Sequence, residues 1–165
     1  MIAIVDVDYR DDHAVAACVL VNDWIDEKPL AEFVETISDV QPYVSGEFYR
    51  RELPCLLAVL SRISEPDFVV IDGYCWLGPD RFGLGAHLHE KLNQTSTIIG
   101  VAKTRFLSAD EVATPVLRGK SKSPLWITAI GIEPNSAADS IRSMHGPQRI
   151  PTLIKRADQL CRQTK

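Results

Sequence analysis

The sequence predicts a mixed α/β fold, in which antiparallel strands at the amino terminus lead into parallel strands flanked by helices. Two β-branched runs near the amino terminus are separated by the turn-forming segment YRDDH, which indicates a hairpin. Farther along, two continuous apolar runs of strand length enclose a segment with helical spacing. A strand, a helix and a second strand in this order form a parallel pair with a right-handed crossover. The combination of a hairpin and a crossover predicts the mixed sheet.

The antiparallel part consists of three predicted strands. The hairpin pairs residues 2–7 with residues 14–21, both of which are rich in β-branched side chains. After a polar stretch, residues 31–40 alternate well enough for a third strand, which ends before Pro42.

A helix is predicted next, over residues 47–63. Its apolar residues recur at helical spacing, and Pro54 is tolerated because it lies in the first turns. This helix places Glu52 near its beginning.

The parallel pair follows the helix. Residues 66–73 and 96–103 are predicted as buried strands, and residues 79–94 as the helix between them. The remainder contains two weaker strands, at residues 114–119 and 124–131. It also contains two helices, at residues 136–145 and 151–163, with Pro134 and Pro151 near their starts.

Composition sets limits on the class of protein. A chain of 165 residues that is 45% apolar can bury a core of its own, so one domain is expected over residues 1–165. The four cysteines have no CxxC spacing, which favours a reducing cytoplasm and gives no zinc motif. The amino terminus lacks the pattern of a secretory signal, and no apolar run reaches membrane-spanning length. We therefore expect a cytoplasmic protein without a membrane partner.

The charge is unevenly distributed along the chain. Residues 1–100 contain 7 basic and 17 acidic side chains, whereas residues 101–165 contain 11 basic and 5 acidic side chains. One explanation is an acidic part that holds metal ions beside a basic part that holds phosphates. Chance placement of solvated charges explains the same counts equally well.

Carboxylates at strand ends are the main candidates for chemistry. Asp6 lies in an apolar strand, where a charge is expensive unless it is paired or metal-bound, and Asp8 points to the same face. Asp72 ends another strand, where open α/β sheets place ligand sites. Together with Glu52 these oxygens suit a hard cation, although any one aspartate at a strand end is more often a turn or helix cap.

Two further side chains are weaker candidates on their own. Lys103, at the end of its strand, is suited to meeting a phosphate, but a solvated lysine is the commoner case. Tyr43 lies in a turn with Pro42 and Gly46 that can present the ring to a base, but a packed tyrosine is the commoner case. The four histidines form no ligand pattern and give no obvious catalytic base.

Several motifs, in order along the chain, resemble those of the endonuclease V family, nucleases that cleave near deoxyinosine in DNA or inosine in RNA. The similarity covers nearly the whole chain. The matching segments are the strand IVDVDY with Asp6, the turn PYVSG at residues 42–46, the pair Arg51 and Glu52, VVIDG with Asp72, GVAKTR at residues 100–105, and the tail with RIP at residues 149–151, Ala157 and Asp158.

The resemblance implies a ribonuclease H-like fold and hydrolysis of a phosphodiester by metal-activated water. It implies a catalytic set of Asp6, Glu52, Asp72 and Lys103, in which the three carboxylates hold Mg²⁺, with Mn²⁺ as an alternative. It also implies that Tyr43 and Gly46 belong to a wedge that opens the strand. Arg51 and Arg105 then contact the nucleic acid.

The chain departs from the family pattern at two histidines. Where the family has Gly-Leu-Ala-His-Pro, this chain has residues 75–79, CWLGP, and the family's Ser-Pro-Gly-His corresponds to residues 129–132, AIGI. Ser45 and Leu53 also differ from the family's proline and glycine. Loss of an acid or base costs about a hundredfold to ten-thousandfold in rate, so cleavage can survive weakly if the metal ligands remain.

Three functions therefore stay open. The first is a metal-dependent endonuclease, and the second is a catalytically weak or inactive nucleic-acid-binding member of the family. The third is a domain recruited to protein contacts, which only Trp24 and Trp76 favour. The sequence leaves open the choice between DNA and RNA, the preference for inosine, the role of Asp8 and the oligomeric state.

Overall fold

A seven-stranded mixed sheet forms the centre of the protein, which a computed structural model describes over residues 1–163. Residues 164 and 165, which fall within the single predicted domain, lie outside the described residues. The sheet order is β3-β2-β1-β4-β7-β9-β8. The strands are β1 (Ile2–Tyr9), β2 (Ala14–Val21), β3 (Ala31–Ile37), β4 (Phe68–Asp72), β5 (Trp76–Gly78), β6 (Arg81–Phe82), β7 (Thr97–Ala102), β8 (Thr114–Val116) and β9 (Leu125–Ile130). The helices are α1 (Phe48–Leu60), α2 (Leu84–Lys91), α3 (Pro134–Ser143) and α4 (Thr152–Gln163).

The predicted hairpin and the predicted parallel pair are both confirmed. Strand β1 pairs antiparallel with β2, and β3 continues the antiparallel ladder on the other side of β2. Strand β4 pairs in parallel with β1 and with β7. Because Val5 lies beside Ile71, Asp6 lies next to the carboxyl end of β4, which brings the backbones of Asp6 and Asp72 together.

Helices cover both faces of the sheet. Alternate residues of β1 enter different cores: Ile2 and Ile4 pack on the side of α3 and α4, and Ala3 and Val5 on the side of α1 and α2. The same alternation assigns Asp6 and Asp8 to the α4 face, and Tyr9 to the α1 face. Side-chain parity therefore decides which helix each polar residue of β1 meets.

The structure differs from the sequence-based expectations at three places. The predicted helix over residues 79–94 begins only at Leu84, because β5 and β6 form a small hairpin whose turn holds Asp80 at a φ of 54°. Strand β3 ends at Ile37 rather than at residue 40. A short 3₁₀ turn at residues 107–109 was not predicted. The hairpin and the 3₁₀ turn touch each other near the candidate site.

Within residues 1–163, no helix combines the length and the apolar character that crossing a membrane requires. The tryptophans that suggested protein contacts are both half-buried and packed. Trp24 meets Phe68 edge-on at 5.3 Å between ring centroids, and the indole of Trp76 donates a hydrogen bond to the Ala129 carbonyl at 2.9 Å. Packing inside the fold accounts for both residues.

Candidate active site

Three neighbouring strands carry the polar residues Asp6, Asp72 and Lys103, with Asp6 beside the carboxyl ends of β4 and β7. Lys103 lies one residue beyond β7, and its Nζ is 2.6 Å from Asp72 Oδ2. Asp6 Oδ1 accepts a hydrogen bond from the Val7 amide at 2.8 Å. All three residues have the strand parity of the α4 face, since Ile4, Val70 and Val101 belong to the core on that side. The sheet therefore brings together three of the residues that the sequence singled out.

Glu52 enters the same site from helix α1, on the opposite face. Its side chain is only 5% exposed, and its Oε2 accepts a hydrogen bond from the Tyr9 hydroxyl at 2.5 Å. The Arg51 guanidinium lies over the Tyr9 ring at 3.8 Å from the centroid. Tyr9 was not among the predicted site residues, although its parity on β1 directs it towards α1. It holds the buried carboxylate in place.

Burial and mutual repulsion act on two of the carboxylates. Burial, followed by the charge of Asp72, raises the pKa of Asp6 from 3.8 to about 6. Burial also raises the pKa of Glu52 from 4.5 to about 7. The Tyr9 hydrogen bond acts in the opposite direction, and the charges of Asp6 and Asp72 add to the rise. The charges of these three carboxylates therefore oppose one another.

Lys103 is the cation of this cluster. Burial alone lowers its pKa, but its hydrogen bond to Asp72 and the charges of Asp72, Asp6 and Asp158 outweigh burial and raise the pKa. The ammonium therefore stays charged beside the carboxylates.

Asp158 on α4 is a fourth carboxylate, which was not among the predicted site residues. Its charge contributes to the raised pKa of Asp6 and acts on Lys103, and its Oδ1 accepts a hydrogen bond from Arg162 Nε at 2.8 Å. A signal was present, because Asp158 lies in the tail segment that resembles the family. Its distance in sequence from the other carboxylates concealed its proximity in space.

These residues fit a hard divalent cation in donor type and charge. Among the described residues, no group of three His, Cys, Asp or Glu side chains is already arranged around a common point. Each carboxylate instead has a hydrogen-bond donor of its own: the Val7 amide for Asp6, the Tyr9 hydroxyl for Glu52 and the Lys103 ammonium for Asp72. Carboxylate oxygens that repel one another are suitable ligands for a cation that offsets the repulsion.

Asp8 has a structural role beside this cluster. Its carboxylate pairs with Arg10 at 3.2 Å and with Arg162 at 3.8 Å. The Arg10 guanidinium also donates to the backbone carbonyls of Cys161 and Arg162, both at 3.1 Å, and these are carbonyls at the end of α4. Asp8 thus fastens α4 to β1, which places Asp158 against Asp6.

A cavity of about 340 Å³ lies directly beside Asp72. Aromatic and apolar side chains make up most of its lining, together with the backbone of Gly46. The lining residues are Gly46, Phe48, Tyr49, Asp72, Gly73, Tyr74, Leu77, Arg81, Phe82, Gly83, Leu84 and Phe106. The Tyr74 hydroxyl joins two walls, since it donates to the Thr104 carbonyl at 2.7 Å and accepts from the Phe106 amide at 3.0 Å.

The turn at residues 42–46 projects next to this cavity. Tyr43 is 63% exposed and Val44 is 48% exposed, so both apolar side chains face solvent. Gly46 adopts a φ of 82°, which favours glycine, and the Glu47 amide closes the turn on the Val44 carbonyl at 3.0 Å. An exposed tyrosine on a closed turn can stack on a base.

The two predicted arginine contacts lie in different surroundings. Arg51 is engaged with the Tyr9 ring, and its Nε is buried without a hydrogen-bond partner. Arg105 is exposed and forms a bidentate pair with Asp110, at 2.9 Å through Nε. Arg105 therefore lies at the surface beyond Lys103, whereas Arg51 supports the position of Glu52.

Gly78 and Ile132 occupy the positions of the two missing family histidines. Gly78 has a φ of 152°, and a Cβ built there would be 2.9 Å from the Ser108 carbonyl oxygen. Ile132 packs against the core on the α3 side. Among the histidines that the chain does contain, His87 stacks on Tyr49 at 3.7 Å, and His13 pairs with Asp12.

Comparison with known proteins agrees with this geometry. The sequence model of the endonuclease V family matches residues 1–132. Endonuclease V of Streptomyces coelicolor is 34% identical over 96% of this chain and 76% of its own length, and that of Streptomyces avermitilis is 31% identical over 96% and 77%.

Solved structures give the same result. The crystal structure of endonuclease V from S. avermitilis has a TM-score of 0.84 and 30% identity, and the match covers 98% of this chain and 79% of that one. The Ciona intestinalis enzyme, solved with DNA containing an inosine, has a TM-score of 0.84 at 21% identity, over 98% of this chain and 84% of that one. The architecture is the ribonuclease H-like fold. The chain therefore belongs to the endonuclease V family, whose members are nucleases that hydrolyse ester bonds.

Proposed function

We propose that this protein, acting as one catalytic unit over residues 1–165, is a Mg²⁺-dependent endonuclease that cleaves DNA or RNA at the cluster of Asp6, Glu52 and Asp72. The observation that carries the proposal is that Asp6 and Asp72 lie at one edge of the sheet beside the buried Glu52, where the charges of the three carboxylates oppose one another. Such an arrangement is costly in a protein unless a cation offsets it. Mn²⁺ has the same preference for oxygen ligands and is the alternative metal.

The three carboxylates, with Asp158 beside them, would hold the metal. Bound there, Mg²⁺ supplies polarisation of a phosphoryl oxygen and activation of water. The protein's own contribution is positional. Tyr9 fixes one oxygen of Glu52, and Asp8 fixes the helix that carries Asp158.

Lys103 has a separate part in this mechanism. Its ammonium is charged and bonded to Asp72, at the point where a scissile phosphate would approach. With Asp72 among the metal ligands, the Lys103 ammonium would be free to bind a non-bridging phosphate oxygen. Lys103 then neutralises charge that builds up on the phosphate during hydrolysis.

The substrate proposed is a strand with an unpaired base close to the cut. The volume and the aromatic lining of the cavity beside Asp72 suit a site that receives a flipped base. Tyr43, exposed on the adjacent turn, would fill the gap that the flipped base leaves in the stack. A relative has been solved with an inosine in its DNA. We therefore propose that deoxyinosine or inosine is the base received in this cavity.

The test is cleavage of inosine-containing and plain single strands of DNA and RNA, with Mg²⁺, with Mn²⁺ and with chelator. We expect metal-dependent cutting that falls at least about a hundredfold in Asp6→Asn and Asp72→Asn, since each removes a ligand charge. Asp139→Asn, an exposed carboxylate on α3, is the matched control and should cut like the parent protein. Cutting that persists in both site variants, or in chelator, would contradict the proposal.

A catalytically weak or inactive nucleic-acid-binding member of the family is the second candidate. The observation in its favour is the replacement of the two family histidines by Gly78 and Ile132. This candidate predicts salt-sensitive binding of the same strands with no cutting under any metal condition. The cleavage assay, with binding measured alongside, separates the two candidates.

A further inference from the structure

A groove of about 480 Å³ runs along the surface of α4 away from the active site. Its walls include Lys103 and Asp158, which also belong to the carboxylate cluster, so groove and cluster are continuous. Arg149 and Lys155 line it farther out, and Ile150 and Ile154 contribute apolar surface. The groove is distinct from the aromatic cavity beside Asp72, with which it shares no lining residue.

The groove carries basic charge that the protein does not neutralise. Within the described part of the chain, the Lys155 ammonium has no ion pair or hydrogen bond, whereas its neighbour Arg156 is bonded to Glu32 at 2.6 Å and 2.7 Å. The Arg149 guanidinium donates only to backbone carbonyls, those of Lys103 and Pro124. Two cations are therefore available to a bound anion.

Among the described residues that line the groove, the single carboxylate is already partly compensated. Asp158 accepts a hydrogen bond from Arg162 and faces the charge of Lys103. Lys155 precedes Asp158 by three positions on α4, so the two side chains lie on the same helix face about one turn apart. An anion bound by Lys155 would therefore be adjacent to an anion bound at the carboxylate cluster.

Alternating anionic and apolar contacts suit a sugar–phosphate backbone. Cationic side chains bind its phosphates, and the apolar faces of its sugars can rest on Ile150 and Ile154. We propose that this groove binds the strand on one side of the cut, with Lys155 contacting the phosphate next to the scissile one. The proposal rests on the proposed function, because it takes the carboxylate cluster as the point of cleavage.

The proposal predicts a one-sided dependence on strand length. Binding is measured in the Asp72→Asn background, which prevents cutting, with labelled inosine-containing strands that extend from the lesion mainly in the 5′ direction, mainly in the 3′ direction, or in both. We expect Lys155→Gln to weaken binding three- to tenfold for strands that extend in both directions, and to lower the salt dependence by about one phosphate contact. The loss should disappear for strands shortened on one particular side.

Lys91→Gln is the matched control, since Lys91 is a lysine of α2 on the opposite face of the sheet. It should leave binding unchanged. An equal loss for strands shortened on either side, or no loss with any strand, would overturn the proposal. Lys155-dependent binding without any cleavage in the parent protein would remove the nuclease function and leave the groove intact, and no binding at low salt would overturn both.

Discussion

Two buried charges in this protein have opposite surroundings. Arg118 is 7% exposed, and its guanidinium donates to four backbone carbonyls of the segment that follows α3: those of Met144, Gly146, Gln148 and Arg149. Glu52 is 5% exposed, but it faces other carboxylates and has its pKa raised to about 7. Two charges that are almost equally buried therefore have different roles. The hydrogen-bonded Arg118 holds a loop, whereas Glu52 and the carboxylates that repel it form a site.

The satisfied charge also supports the repelling ones. Arg118 organises the segment that carries Arg149, and the Arg149 guanidinium in turn donates to the Lys103 carbonyl. Lys103 is bonded to Asp72 in the active site. The difference teaches that a cluster of repelling carboxylates needs a rigid frame outside it, because its own members drive each other apart.

The largest effect on stability is expected at Arg118. Arg118→Met keeps much of the side-chain volume but leaves its carbonyl partners without their donor, and each unsatisfied buried group costs about 1 to 3 kcal/mol. Because some of these carbonyls will gain water, we expect the free energy of unfolding to fall by about 3 kcal/mol. Denaturant unfolding measures it, with Arg142→Met, at an exposed position of α3, as the control. A change equal to that of the control would show that the four hydrogen bonds do not hold the loop.

A change of opposite sign is expected in the carboxylate cluster. In metal-free protein at pH 7.5, Asp6→Asn removes a repelling charge while its amide oxygen can keep the hydrogen bond from Val7. The shift of the Asp6 pKa by about two units corresponds to roughly 3 kcal/mol. We therefore expect the variant to be about 2 kcal/mol more stable than the parent, although it does not cut.

The pH dependence checks the sign of this effect. The folded protein binds the Asp6 proton more tightly than the unfolded chain, so the stability contribution of this group is lost as the pH rises from about 4 through about 6. The gain from Asp6→Asn should accordingly appear at pH 7.5 and vanish near pH 4. Destabilisation by Asp6→Asn at both pH values would mean that the carboxylates do not repel each other in the metal-free protein.

The smallest effect is expected at Asp8, whose ion pairs fasten α4 to β1 beside the carboxylate cluster. Its pairs with Arg10 and Arg162 are partly exposed, so Asp8→Ala should cost about 1 kcal/mol or less in stability. Because these pairs set the position of α4, cleavage should fall about three- to tenfold while metal affinity changes little. Isothermal titration with Mn²⁺ alongside kinetics separates this anchoring role from a ligand role, in which metal affinity would fall with activity.

The sequence predicted the strand ends well because the relevant information is local. Continuous apolar runs predicted β4 and β7, and their carboxyl ends placed Asp72 and Lys103 at one edge of the sheet. The bond between Tyr9 and Glu52 could not be predicted, because it joins a strand to a helix that contacts it only in the folded chain. Asp158 lies in a segment that resembles the family, but its place beside Asp6 likewise depends on α4 meeting β1 in the folded chain.

The hairpin of β5 and β6 was the clearest structural miss. Residues 79–83 have the spacing of the helix that follows them, and a two-residue strand is too short to produce a period of its own. The assignments of Asp6, Glu52, Asp72 and Lys103 remain predictions until their variants are measured.

The conformation of Gly78 constrains how this protein can change over evolutionary time. A histidine introduced there by one mutation would meet both an unfavourable φ and the Ser108 carbonyl oxygen, so the substitution would be rejected before its chemistry could be of use. The 3₁₀ turn that contains Ser108 would have to move first. In a descendant of this chain, a change in the 3₁₀ turn that brings no catalytic benefit would therefore have to precede the beneficial histidine. A residue whose return needs two changes in a fixed order is hard to regain.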